Sequence, residues 1–231
     1  MTKGADFDAV CVGAHPDDVE IGMGATVAKM VRCGKRVAIV DLTDGEPTPN
    51  GTPQTRAAES AEAAHILGVT RRTLTQRNRY LFDTVEARTE LAEVLREFRP
   101  RVLFVPYERD SHPDHVAAAS IAMAARFYAK FTKTDMRGEP HYPERVYRYM
   151  AVHQRIVAEP SFIVDVSEDL PTKLAAVSAY ESQFSANPNN RGMAELMAQT
   201  AATWGNLGRV AAGEPFFALE PVTMRSLDDL V

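Results

Sequence analysis

The sequence predicts an α/β protein of three layers: a mostly parallel sheet of strand order 3-2-1-4-5 with helices on both faces, then further strands and helices. Three observations carry this. Apolar runs and helical periods alternate along the first 130 residues, the pattern of successive βαβ units. The early strands are apolar along their length, as strands buried on both faces are. The 231 residues, 45% of them hydrophobic, suffice to bury one large core, so one domain is expected over 1–231.

In order, FDAVCVGA (7–14) reads as a buried strand, VEIGMGATVAKMVRCG (19–34) as a helix closed by Gly34, and KRVAIVDLT (35–43) as a second strand. After a Gly- and Pro-rich loop (44–53), QTRAAESAEAAHILG is a helix stopped by Gly68, with a strand following near 70–76. Asp83 with Glu86 three residues on resembles a capping box for a helix running to about Phe98. RVLFVP (101–106) is a strand halted by Pro106, and HVAAASIAMAARFYAK begins another helix. A punctuated loop at 131–143 leads to the strand candidates RVYRYMAV and SFIVDVS, with helices across about 168–184 and 191–212. The polar SANPNNRG (185–192) reads as a surface loop, one that could move over a site.

A net charge of −5 argues against a partner such as nucleic acid, which calls for a basic stripe. No apolar stretch reaches membrane-spanning length and the N-terminus lacks a signal-peptide core, so a cytoplasmic protein is expected. The two cysteines, Cys11 and Cys33, fall inside expected elements and read as buried free thiols.

Two short motifs stand out. His15-Pro-Asp17-Asp18 follows the first strand, and His112-Pro-Asp114-His115 follows the strand at 101–106. In a sheet of order 3-2-1-4-5 those strands are neighbours whose crossovers leave to opposite faces, which opens a crevice where the two motifs meet. Taken singly, each has a plain explanation: Asp17 or Asp18 can cap the next helix, and a lone histidine is most often a satisfied core group. Together they crowd three histidines with Asp17, Asp18, Glu20 and Asp114 into one place, and a divalent cation resolves the repulsion. Two imidazoles and a carboxylate suit zinc with an open position, and an open position means catalysis. Such an ion brings the pKa of a bound water from 15.7 to about 7, and a spare carboxylate can take the proton. A dinucleotide site fits poorly, because Gly13, Gly22 and Gly24 do not form G-x-G-x-x-G and the aspartates would repel a pyrophosphate.

The pattern A-H-P-D-D-x-E followed by H-P-D-H resembles the LmbE-like (PIG-L) N-acetylglucosaminyl deacetylases. The likeness extends through DLTDGEPTPNGTPQTRAAESAEAAHILGV, AAVSAYESQF and the closing GEPFF. The resemblance implies a Rossmann-like fold and a zinc-dependent hydrolase that removes N-acetyl groups from amino sugars, with iron(II) able to take the same ligands in cells. It is nearest to the bacillithiol biosynthesis deacetylases, which implies N-acetylglucosaminyl malate as substrate. By motif position it places metal ligands at His15, Asp18 and His115, the general base at Asp17 and an oxyanion-stabilising histidine at His112. Asp114 would orient a histidine, and Arg56 would contact substrate.

From the residues alone, Arg56 reads as exposed and paired with Glu59 at i, i+3; only the resemblance reverses that. Bacillithiol-type members often carry arginine just before H-P-D-H, where this chain has Ser111, with Arg109 two places earlier. Arg79 and Arg109, with Arg77, are further candidates to receive carboxylates. The expected partner is therefore a small amino-sugar conjugate, with assembly into a homo-oligomer left open. A phosphoesterase would call for more ligands and commonly two ions, and a non-enzymatic sugar binder has no use for the spare Asp17.

Overall fold

A strand can be apolar on both faces only where helices cover both, and β1 (Ala9–Gly13) shows the arrangement. Val10 and Val12 point into one core, Ala9 and Cys11 into the other. The second strand, β2 (Val37–Thr43), alternates likewise, Ala38, Val40 and Leu42 opposing Val37 and Ile39. This is the two-residue period of a pleated strand clamped between helical layers. The computed structural model describes residues 6–153, 156 and 158–223.

Around these strands the chain runs α1 (Asp18–Arg32), α2 (Pro53–Leu67), β3 (Thr70–Gln76), α3 (Val85–Phe98), β4 (Val102–Pro106), α4 (Pro113–Tyr128) and β5 (Arg145–Tyr149). It continues through β6 (Phe162–Asp165), α5 (Leu170–Ser178), α6 (Met193–Gly208) and β7 (Gly213–Ala218). The sheet order is β3-β2-β1-β4-β5-β7-β6. The first five strands are parallel, and β7 is antiparallel to both of its neighbours. One core packs α3 and α4 on the sheet through Leu91, Leu95, Ile121 and Ala125; the other packs α1, α2 and α5 through Val19, Val27, Leu67 and Val177. Since β1 and β4 are neighbours with α1 and α4 on opposite faces, their carboxyl ends border the switch-point crevice. Among the described residues, no helix is long and apolar enough to cross a membrane.

The departures from expectation lie mostly in the last third. β7 went unread because Pro215 interrupts a six-residue run, and proline normally marks an edge strand. The expected helix at 168–184 stops at Ser178, because the following turn brings the N–H and hydroxyl of Ser182 onto the Glu59 carboxylate, each at 2.7 Å. Thr84, not Asp83, caps α3 by accepting from the Ala87 N–H, while Asp83 pairs with Arg88. Cys33 is exposed, because it sits beyond the last buried turn of α1; Cys11 is buried. In the 185–192 loop, the Asn190 amide donates to the Gln183 carbonyl.

Glu214, the acidic residue of GEPFF, mends a break in α1. That helix leaves helical geometry at Met23 (φ −151°), and the Glu214 carboxylate accepts the N–H groups of Ala25 and Thr26 at 3.2 and 2.7 Å. The Lys173 ammonium, 4% exposed, donates to the same carboxylate at 2.6 Å. Removing one member of such a buried pair strands the other charge. Glu214→Ala should therefore lower unfolding free energy by about 3–5 kcal/mol; urea denaturation reads the effect, and a loss below about 1 kcal/mol would show that the pair contributes no more than a surface one.

Candidate metal centre

Between Gly13 and α1 the chain folds back on the side chain of Asp18. Its Oδ2 accepts the N–H groups of Ala14 and His15, both at 2.9 Å. Asp17, at the helix N-cap, sits at φ +109°, a region costly for any residue with a side chain, and makes no side-chain cap bond. Neither aspartate is thus an ordinary helix cap. The strain at Asp17 turns its carboxylate away from the helix end toward Arg56.

The second motif is built differently. His112 is the N-cap of α4, its Nδ1 accepting the Asp114 N–H at 3.2 Å, and Pro113 opens the helix. One turn of helix then brings His115 to the crevice, where Nε2 lies 3.2 Å from Asp18 Oδ1. His15 Nδ1 is 3.5 Å from Asp18 Oδ2.

Among the described residues, two groups of three have ligand atoms within 4.8 Å of one another: His15, Asp18 and His115, all buried, and His15, His112 and Asp114. The first fits a divalent ion better. Each of its histidines has its other nitrogen against a carboxylate, His15 Nε2 at 3.3 Å from Asp114 and His115 Nδ1 at 2.5 Å from Asp110. That is the arrangement that fixes tautomer and ring orientation for a metal ligand. In the second group, His112 Nδ1 is occupied by a backbone N–H, and Asp114 already accepts from the Arg79 N–H at 2.6 Å.

Charge follows the same division. Burial pulls the His15 pKa down, yet hydrogen bonds to Asp114 and Asp18 raise it to about 10; His115, against the same burial, is raised to about 9, chiefly by Asp18. These two protons supply the positive charge that a bound ion would bring. Asp18, despite burial, is held well below the usual carboxylate range by His115 and His15. Asp17 differs: burial, reinforced by the Asp18 charge, raises it to about 7 against the pull of Arg56. His112 is lowered to about 4 by burial and its cationic neighbours, so the ring is neutral, and with Nδ1 accepting, the proton resides on Nε2.

Of the arginines, Arg56 is neither exposed nor paired with Glu59. It is 2% exposed, donates to the Pro16 carbonyl at 2.5 Å, and lies 3.3 Å from Asp17 and 3.8 Å from Glu46. Its charge is spent on the protein's own carboxylates. Arg79 is exposed at φ +67°, with its guanidinium on the Pro47 carbonyl at 2.9 Å; Arg109 is exposed, and Arg77 stacks over Tyr80.

Three residues escaped the sequence reading. Arg71 lies under the site, donating to both oxygens of Asp41 at 2.6 and 2.8 Å and to Glu20 at 2.5 Å. A carboxylate inside the apolar run of β2 was a signal that such a cation must exist. Asp110 precedes the motif by two positions, and His153 lies in an irregular segment with no periodicity to mark it.

A doubly wound sheet with buried imidazoles and carboxylates at its switch point, beside a second carboxylate turned toward Arg56, defines the class: an α/β fold suited to metal-assisted hydrolysis. The chain belongs to the PIG-L family, whose profile, described as GlcNAc-PI de-N-acetylase, matches residues 10–126. It is 32% identical to the diacetylchitobiose deacetylase of Thermococcus kodakarensis, across 76% of this chain and 69% of that protein. It is 29% identical to 1D-myo-inositol 2-acetamido-2-deoxy-alpha-D-glucopyranoside deacetylase 2 of Catenulispora acidiphila, across 90% and 86%. Among solved structures, the conserved protein TT1542 of Thermus thermophilus superposes with a TM-score of 0.88 at 40% identity, covering 96% of this chain and 98% of that one. The family is one of deacetylases, hydrolases of an amide C–N bond.

Ion binding should depend steeply on pH. In the ion-free protein both histidines hold protons below about pH 9, and both must leave before the nitrogens can bind a cation, so affinity rises with pH. Two displaced protons give a slope of about 100-fold per pH unit. Zinc titrations in buffers of differing ionisation heat should count two protons released per ion; none released would show that both rings are already neutral in the ion-free protein. His15→Ala, Asp18→Ala and His115→Ala should each lose the ion.

Proposed function

We propose that the chain is a metal-dependent N-deacetylase of an N-acetylglucosamine conjugate, with zinc held by His15, Asp18 and His115. One observation carries this reading: adjacent aspartates with opposed environments, Asp18 held by two backbone N–H groups between two histidines, and Asp17 turned by its positive φ toward Arg56 beside the same crevice. A ligand must stay ionised; a base must be able to exchange a proton near working pH. Bound zinc would supply positive charge that polarises the acetyl carbonyl and acidifies water, and iron(II) suits the same donors.

The chain's residues do the rest. Asp17 accepts a proton from the water as its oxygen adds to the carbonyl carbon, then returns that proton to the nitrogen as the C–N bond breaks, leaving acetate and the free amine. Arg56, 3.3 Å away, keeps enough of Asp17 ionised to begin the cycle. The His112 Nε2–H donates to the oxygen that becomes negative. Asp114 holds the His15 ring.

The conjugate we propose is N-acetylglucosaminyl L-malate, as in bacillithiol biosynthesis. What supports an anionic aglycone is the pair of exposed arginines, Arg79 and Arg109, on loops at the carboxyl ends of β3 and β4. The names of the relatives favour a second reading, a broader amino-sugar deacetylase.

Asp17→Asn should retain the ion while turnover falls by roughly 10²–10⁴; near-normal turnover would refute the base. His112→Ala should lower kcat by about 10²–10³ with little change in metal content. For specificity, kcat/KM is compared among the malate conjugate, the inositol conjugate and diacetylchitobiose, with Arg79→Ala and Arg109→Ala. A malate preference that either variant erodes supports the anionic aglycone, and equal values establish the broader deacetylase.

A further inference from the structure

We propose that the site extends beyond its two motifs through Asp110 and His153: Asp110 positions His115 and latches the segment after β5, and His153, held there, contacts the substrate.

The Asp110 side chain is fully buried. A carboxylate so placed is costly unless its oxygens are engaged, and the engagement here joins two parts of the molecule. Oδ2 takes the Nδ1 proton of His115 at 2.5 Å, leaving Nε2 directed at Asp18. Oδ1 accepts the backbone N–H of His153 at 2.9 Å and that of Ser111 at 2.6 Å. β5 is the sheet neighbour of β4, and the Tyr107 N–H donates to the Tyr149 carbonyl at 3.0 Å, so the segments leaving both strands run out over the same edge.

The latch puts a fourth imidazole at the crevice. The His153 ring centroid lies 5.5 Å from that of His112 and 5.3 Å from that of His115, tilted by 32° and 33°. His115 is buried and His112 half-buried, whereas His153 is exposed. Among the described residues its ring nitrogens make no hydrogen bond, so the ring stands beside the proposed oxyanion donor with its polar atoms uncommitted. A residue serving only to fasten the loop would need its backbone N–H and not this ring. A sugar hydroxyl or the acyl oxygen is the chemistry such a ring can receive at that position.

The experiment has a zinc arm and a kinetic arm. By chelator competition, Asp110→Ala should weaken zinc binding by about 10–100-fold, and His153→Ala should leave it unchanged. At saturating zinc, His153→Ala should lower kcat/KM for the acetylated conjugate about tenfold, mainly through KM, the loss of one hydrogen bond to substrate. Asp110→Ala should show the same KM rise, and the double variant no further rise, because both act through the position of one ring. Should Asp110→Ala fail to fold, Asp110→Asn preserves shape and lacks the second acceptor oxygen. Wild-type zinc affinity in the Asp110 variants, unaltered kcat/KM in His153→Ala, or additive KM effects would each overturn the proposal. The kinetic arm rests on the deacetylase reading: absence of wild-type turnover on every acetylated sugar would refute that reading and the His153 contact, while the zinc arm would still decide the role of Asp110.

Discussion

The carboxylate of Asp18 is the constraint from which the rest of the site follows. It is buried at the end of the central strand, where an anion survives only with compensation close at hand. Two backbone N–H groups hold one oxygen, and His15 and His115 face it from two separate crossovers. Each histidine is turned by its own carboxylate, Asp114 or Asp110. The outcome is a short alternation of acid and base, in which every ring has one nitrogen anchored and one aimed at Asp18.

Asp17, one residue earlier, shows how strain separates two chemically identical side chains. Its positive φ swings the carboxylate out of the turn that secures Asp18 and toward Arg56. With a single arginine in place of two histidines and two N–H groups, Asp17 stays close to its proton while Asp18 does not. Arg56 is buried among Asp17, Pro16 and Glu46, so its guanidinium is engaged by groups of the protein itself.

Below this lies a structural charge network. Arg71 joins Glu20 and Asp41, and the Tyr180 hydroxyl donates to Glu20 at 2.8 Å, so that α1, β2, β3 and the turn after α5 are tied beneath the crevice. Burial raises Asp41 to about 6 even with Arg71 against it. The Lys173 and Glu214 pair does comparable service farther along α1, where the helix breaks. Polar groups dispersed in the sequence thus close into networks that make the two helical layers and the sheet one frame for the site.

The sequence by itself determined the alternation of β1 to β5 with α1 to α4, because strand and helix periods are local properties of adjacent side chains. It also determined that the two histidine motifs share a crevice, because strand order places β1 beside β4. It was silent on β7, whose Pro215 hides a strand that only its two neighbours define. Only the tertiary structure decided that Arg56 is buried, that His112 Nδ1 accepts a backbone N–H, that Thr84 caps α3, and that Asp110, Arg71 and His153 lie close to the two motifs. The physical reason is common to these cases. Burial, protonation and pairing of a polar group depend on what the rest of the chain brings within about 3–4 Å of it, and residues such as 110 and 153, or 41 and 71, acquire that nearness only when the sheet has formed.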